Sequence, residues 1–454
     1  MRLAVLFTAL ALSGSAALAQ APHLSGALAL DPARGTVRGD LCLSNLPAQD
    51  TLRFLLHKGL NVRHVRTPAG GPLASSGHIG LQPVGVALQY TVAAPETDAL
   101  CVAYTGAYPV YTDQSAPLDA SEFIAFNGRT VRAPSGTAWY PTLYDPASDR
   151  QFGEVTYDLD VQCDGCAGVY MNGAPPQPGP VARLVSDQPR DLLLYAGEVE
   201  AREVAGTLFL NSDITEGDAR TLGRKVDEVK RYYEDALGLP YGDTVVFMEF
   251  EPVEYFPPER NWAFVVWPTL AWANVDLGAF ARALDDDQPA PWIWATLGHE
   301  MAHYYFGTLV SPVGPYAQFF KESIPEYLAY GMIRRAVGEE ALRNRVRAHF
   351  QEVLNGPDLT PLDQITPEKP VGGNRYRYRY GPLLLLALER EVGEDRMHRL
   401  ITALLTSPDG ARLDYGSLRA AARAAGVPDD TWRRYEEACV RPSARESCLA
   451  DLAP

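Results

Sequence analysis

From about Ala21 to Ser212 the chain consists of short apolar or alternating runs such as Leu52 to Leu56, Leu81 to Val92, Val155 to Val161 and Leu192 to Tyr195, punctuated by Gly and Pro. Such runs, bounded by turn residues, predict antiparallel sheet. The pattern changes near residue 214. Thr215-Glu216-Gly217-Asp218 resembles a capping box, and Leu222, Val226, Val229, Tyr233 and Leu237 then recur at helical spacing until Gly238 and Pro240 stop them. Thr244 to Phe250 predicts one more strand. Beyond it helices dominate: Pro291 to Phe306, a helix through 321 to 330, Glu340 to Leu354, Pro382 to Val392, and shorter ones to the end. The helix at Pro291 is buried in character, with Asp286 or Asp287 available to cap it and Gly307 just past its end. The expected fold class is α+β multidomain, with an N-terminal antiparallel β domain over 20–212, a mainly helical domain over 213–392 and a short C-terminal helical segment over 393–454. No internal repeat or low-complexity tail is present.

A chain of 454 residues can bury ample core, so neither metal nor disulfide is required merely to fold. Residues 1–19 read as a secretory signal, with Met1-Arg2, an apolar run from Leu3 to Leu12 and a small-residue cleavage site at Ala17-Leu18-Ala19. Export to the periplasm or outside the cell follows from that reading. No later stretch is apolar enough for a membrane span, so no stable membrane association is expected. Six cysteines suit an oxidising compartment, and Cys42 with Cys101, Cys163 with Cys166 and Cys439 with Cys448 form local pairs, although sequence alone leaves connectivity open. The Cys163-x-x-Cys166 spacing also suits redox or metal chemistry, but its strand-like flanks and the lack of a second Cys pair or His nearby favour a structural bridge. A formal charge of −16 disfavours nucleic acid and anionic membrane surfaces as partners. The arginines of the run Arg375 to Tyr380 do not reverse that balance; they read as solvated, or one of them holds a substrate carboxylate or carbonyl.

The chemistry concentrates at His299-Glu300-Met301-Ala302-His303, followed by Glu322 after a gap of eighteen residues. On a helix, imidazoles at i and i+4 share one face and can bind one zinc ion, while Glu300 reaches the water beside it. Two His and one Glu leave the fourth zinc position open, as a catalytic site requires. The bland alternative is a helix carrying two surface histidines. Their apolar neighbours Trp292, Ile293, Trp294, Leu297 and Phe306 argue against it, because imidazoles placed there would cost stability without a partner.

HEMAHYYFGTLVSP (299–312) and KESIPEYLAY (321–330) closely resemble the zinc core of the M1 aminopeptidases, whose pattern runs H-E-x-x-H, eighteen residues, E. His299, Glu300, Ala302, His303, Phe306, Gly307, Leu309, Val310 and Pro312 fall where that family commonly has the same residues. The resemblance implies Glu322 as third ligand within N-E-G-x-x-x-Y, with Tyr327 at the family spacing and with Lys321 and Ser323 replacing the usual Asn and Gly. Glu326 is the competing ligand, or else a solvated residue on the same helix. Tyr378-Arg379-Tyr380-Gly381 resembles the family's Y-E-K-G segment, which implies that Tyr378 hydrogen-bonds the oxyanion. The run from Arg375 to Tyr380 also alternates with period two, as an exposed strand would, and Tyr376 and Tyr380 are the fallbacks. At the family's G-x-M-E-N strand this chain has Pro257-Pro258-Glu259-Arg260. Glu259 is then the substrate-binding residue for a free amino terminus, although proline removes a backbone N–H from the strand that would position it.

The resemblance implies a saddle-like β domain followed by a thermolysin-like zinc peptidase domain, with only a short remnant of the large helical C-terminal domain. It also implies a zinc cofactor and peptide substrates. The expected activity is zinc-dependent peptide hydrolysis, most simply as an aminopeptidase, with His299, His303 and Glu322 as metal ligands and Glu300 and Tyr378 as catalytic residues. An endopeptidase or dipeptide-releasing enzyme on the same scaffold, and a non-catalytic zinc-containing binding protein, are the alternatives.

Overall fold

The computed structural model describes residues 21–76, 82–94, 97–112, 124–251, 262–408, 410, 412–444 and 447–452. The signal-like residues 1–19 lie outside them. Three sheets build the N-terminal part. The first has six strands in the order Val181–Arg190, Val155–Cys163, His23–Asp31, Thr36–Ser44, Leu100–Ala107, Leu60–Arg66. Its pairs are antiparallel except that His23–Asp31 and Val155–Cys163 run parallel. Alternation sets the faces: Val155, Tyr157, Leu159 and Val161 are buried, while Asp160 and Gln162 point to solvent. Two five-stranded sheets, centred on Thr51–His57 and on Leu193–Gly197, complete this part around a core that includes Leu41, Phe54, Tyr90, Trp139 and Leu184. The three local cysteine pairs are all disulfides, Cys42–Cys101, Cys163–Cys166 and Cys439–Cys448, so Cys163-x-x-Cys166 closes a turn between strands.

A fourth sheet belongs with the helices. It is ordered Ala201–Val204, Thr207–Leu210, Val246–Glu249, Thr269–Ala273, Trp262–Val266, with a parallel centre and antiparallel edges. Thr269–Ala273 is buried at every position, as a strand covered on both faces must be, so it carries no period-two signal. The helix Glu216–Leu237 connects two of the parallel strands, and Thr215 caps it by accepting from the Asp218 N–H. Tyr170, Leu193 and Tyr195 of the β sheets pack on Leu210, Met248 and Val266 of this sheet, which joins the two parts through an apolar seam. Asn172, fully buried there, donates to the carbonyls of Asp191 (2.6 Å) and Trp267 (2.9 Å) and accepts from the Leu193 N–H (2.7 Å). A buried amide satisfied on both sides fixes the seam's register as well as its area.

The helix Pro291–Ala302 packs against Ile324–Ala336 in the helical core. Its close approach needs Gly298, where a Cβ would lie 3.1 Å from Met332 Cγ and 3.2 Å from the Tyr233 hydroxyl. Tyr233 donates to the Gly298 carbonyl (2.7 Å) and Tyr241 to that of Met301 (2.6 Å). Neither Asp286 nor Asp287 caps this helix: the cap residue is Ala290, without a side-chain bond, and Asp286 instead accepts from the Gln288 N–H. Pro291 at the first position has no N–H to satisfy, which lessens the need for a cap. The helix also ends at Ala302, short of the expected Phe306. Tyr304 and Tyr305 turn into the core, donating to the carbonyls of Pro240 and Leu239, and Leu309 and Val310 N–H groups take up their own carbonyls.

Two wider π-turns, Phe319–Ser323 and Tyr376–Tyr380, each lead into a helix with proline in its first turn, Pro325 in Ile324–Ala336 and Pro382 in Gly381–Val392. A proline ring clashes with the carbonyl four residues back, here Lys321 and Tyr378, and the extra residue of a π-turn relieves that clash. The alternating run Arg375 to Tyr380 is therefore no strand. Tyr376 and Tyr380 are buried in the core, and Tyr378 points elsewhere. Ser323 Oγ donates to the Arg377 carbonyl (2.8 Å) and so ties one π-turn to the other. Gly381 permits the approach, because a Cβ there would sit 2.1 Å from Ser323 Oγ.

Gly381→Ala is expected to destabilise the protein by about 1–3 kcal/mol through overpacking, read as a lowered melting temperature. In a Ser323→Gly background, which removes the obstructing atoms, the same substitution should cost markedly less. An equal penalty in both backgrounds would show that the two turns do not meet at this contact.

Candidate active site

The helix Pro291–Ala302 and the π-turn at Glu322 bring together the only group of three metal-type side chains found among the described residues. One ligand atom each from His299, His303 and Glu322 lies within 4.8 Å of the others. Glu322 Oε2 is 3.4 Å from His299 Nε2 and 3.8 Å from His303 Nε2. Both rings turn Nε2 inward and Nδ1 outward. His303 Nδ1 lies 3.2 Å from the Phe306 carbonyl oxygen, and His299 Nδ1 lies 3.1 Å from Glu326 Oε2, at an angle less good than its length. Outward nitrogens held by a carbonyl and a carboxylate, with inward nitrogens converging on a third ligand, suit a metal ion. The residues present fit zinc, since two imidazoles and one carboxylate leave a coordination position open.

Glu326 belongs to neither of its two sequence readings. It is only 4% exposed, so it is not solvated, and it stands behind His299 rather than among the converging ligand atoms. Arg345 donates to its other oxygen (2.6 Å). Burial opposes the Glu326 charge, but Arg345 first and His299 next hold its pKa down at about 2. The sequence signal was a carboxylate one helical turn beyond Glu322 on a buried helix; what it lacked was the distant Arg345.

Burial likewise works against the charges of His299 and Glu322. Contacts with Glu322 and Glu326 nevertheless hold the His299 pKa up at about 10, and His299 and His303 hold Glu322 down at about 2. Burial, then the nearby Glu322 carboxylate, pushes the Tyr378 phenol well above its usual range. The phenol is therefore a neutral donor at any ordinary pH. Its ring centroid lies 5.6 Å from that of His299.

A cavity of about 660 Å³ opens over the cluster, lined by His299, Glu300, His303, Glu322 and Tyr378 among others. Of the three tyrosines in the alternating run, Tyr378 alone lines it. Glu300 is partly exposed into it, one residue round the helix from His299. Arg377, from the arginine run, lines it too, as does Lys321 beside the third ligand, while sequence reasoning missed Asp191, which enters from the β sheets. A neighbouring cavity of about 840 Å³ shares Glu154, Asp191, Thr308, Ser311 and Lys321 with it. Burial, then Asp191, pushes Glu154 up to about 7, while burial pulls the Lys321 ammonium down against the opposing pull of Asp191, Glu322 and Glu154. Glu259, the expected anchor for a substrate amine, lies outside the described residues.

No family model and no curated protein matches the sequence. Solved structures do match. The M1 zinc metallopeptidase from Deinococcus radiodurans aligns with TM-score 0.63 at 16% identity, covering 91% of this chain and 93% of that one. A point mutant of that metallopeptidase, bound to Tyr-ser-ala substrate, aligns with the same score, identity and coverage. Native yeast LTA4 hydrolase aligns with TM-score 0.66 at 13% identity, over 91% of this chain and 66% of the other. Likeness across nine-tenths of the chain, both β sheets and helical core included, gives this protein the fold of the M1 zinc metallopeptidases.

Proposed function

We propose that this protein is a zinc-dependent peptidase, acting as an aminopeptidase. The observation that carries the reading is the convergence of His299, His303 and Glu322 on one point, in a cavity that Glu300 and Tyr378 also line. His299, His303 and Glu322 would hold the zinc, whose bound state supplies Lewis acidity toward a water and a substrate carbonyl. Glu300 takes the proton of the attacking water and delivers it to the leaving amine. Tyr378, kept protonated by burial and by Glu322, donates to the oxyanion, a service worth several kcal/mol where water is scarce. The fold's solved neighbours, one of them holding a tripeptide, support peptides as the substrate class. Three disulfides support work in an oxidising compartment, in line with the signal-like N-terminus. Among the described residues no helix is long and apolar enough to cross a membrane.

Endopeptidase or dipeptide-releasing action is the second reading, favoured by Pro257 and Pro258 where the family's substrate-pairing strand has its glycine.

Glu300→Gln should keep its zinc yet lose about 10²-fold or more in kcat, since an amide cannot accept the water's proton. Substantial residual turnover would place the base elsewhere. Matched peptides with free and acetylated amino termini decide between the two readings. A large preference of the wild type for the free form supports aminopeptidase action, and equal cleavage of both excludes it.

A further inference from the structure

Arg377 lines the cavity wall and makes no ion pair among the described residues. Arg190 pairs with Asp243 at 2.8 Å, and Lys321 lies within electrostatic reach of Asp191, Glu322 and Glu154. Among the described residues Arg377 has no carboxylate within salt-bridge distance, and its Nε, like that of Arg190, is buried without a hydrogen-bond partner. Its carbonyl is pinned by Ser323, so the residue enters the cavity from a fixed backbone. It immediately precedes Tyr378 and is close enough to act on that phenol electrostatically. A guanidinium that lines a cavity without an ion pair gains charge-assisted hydrogen bonds when a planar anion enters. Few groups of a peptide match that fork. A carboxylate does so with two parallel bonds, which a lysine could not reproduce.

We infer that Arg377 forms a carboxylate subsite beside Tyr378, so that the cavity selects peptides carrying a carboxylate near the scissile bond. The inference rests on the peptidase reading for its substrate class. Two sources share the chemistry: the C-terminal carboxylate of a short peptide and an acidic side chain.

Binding separates them without turnover. In the zinc-loaded Glu300→Gln protein, calorimetry compares Ala-Ala-Ala with its C-terminal amide, and Ala-Glu-Ala amide with Ala-Gln-Ala amide. The expected result is a preference of about tenfold or more for the carboxylate member of at least one pair, as a charge-assisted bond gives. A preference in the first pair identifies the terminal carboxylate, and in the second the side chain. Arg377→Gln should collapse that ratio toward unity, Arg377→Lys should restore only part of it, and Lys321→Met should leave it standing. Failure of the parent protein to distinguish either pair would overturn the subsite, as would a ratio that survives Arg377→Gln or falls only with Lys321→Met. Wild-type protein that cleaves none of the four peptides would count against the peptidase reading alone, because the binding ratios are still read in Glu300→Gln.

Discussion

One hydrogen bond, from Ser323 to the carbonyl of Arg377, spans the two segments on which the site depends. On one side of it stands Glu322 and on the other Tyr378, and neither segment is an ordinary helix. Each is a π-turn placed ahead of a proline, and each proline fixes where the wider turn falls. Gly381 then lets the backbones approach closely enough for the bond to form. The geometry of carboxylate, phenol and arginine is set by the chain's local chemistry before any ligand enters.

A second layer of contacts holds the histidines. Glu326 is divided between Arg345 and His299, and both offset what burying that carboxylate costs. The ring of His299 is thus oriented from behind by a charged pair, while that of His303 is oriented by the Phe306 carbonyl. Tyrosine hydroxyls on the Gly298 and Met301 carbonyls hold the helix itself. These outer partners fix the orientation of both rings, and Glu322 meets their inward nitrogens.

The sequence made local order legible. His299 and His303 share a helical face by spacing alone, Thr215 caps as its neighbours suggest, and the cysteines pair with partners close in the fold. It failed where distant residues decide. The period-two run from Arg375 to Tyr380 mimics a strand because Tyr376 and Tyr380, four apart, bury together while Tyr378 turns to the cavity. Strand Thr269–Ala273 shows no alternation because both of its faces are covered. The helix after Pro291 stops early because tyrosines bond to carbonyls some sixty residues earlier in the chain. Glu326 and Arg345 meet, and Asp191 and Lys321 come to line one cavity, only after folding, and no spacing rule announces either group.

The central claim is that His299, His303 and Glu322 form one zinc site whose occupancy does not depend on Glu300. Metal analysis of purified wild-type protein, His303→Ala, Glu322→Ala and Glu300→Gln tests it most directly. The account predicts about one zinc per chain in the wild type and in Glu300→Gln, and little in the other two variants. Unchanged zinc content in His303→Ala or Glu322→Ala would contradict it.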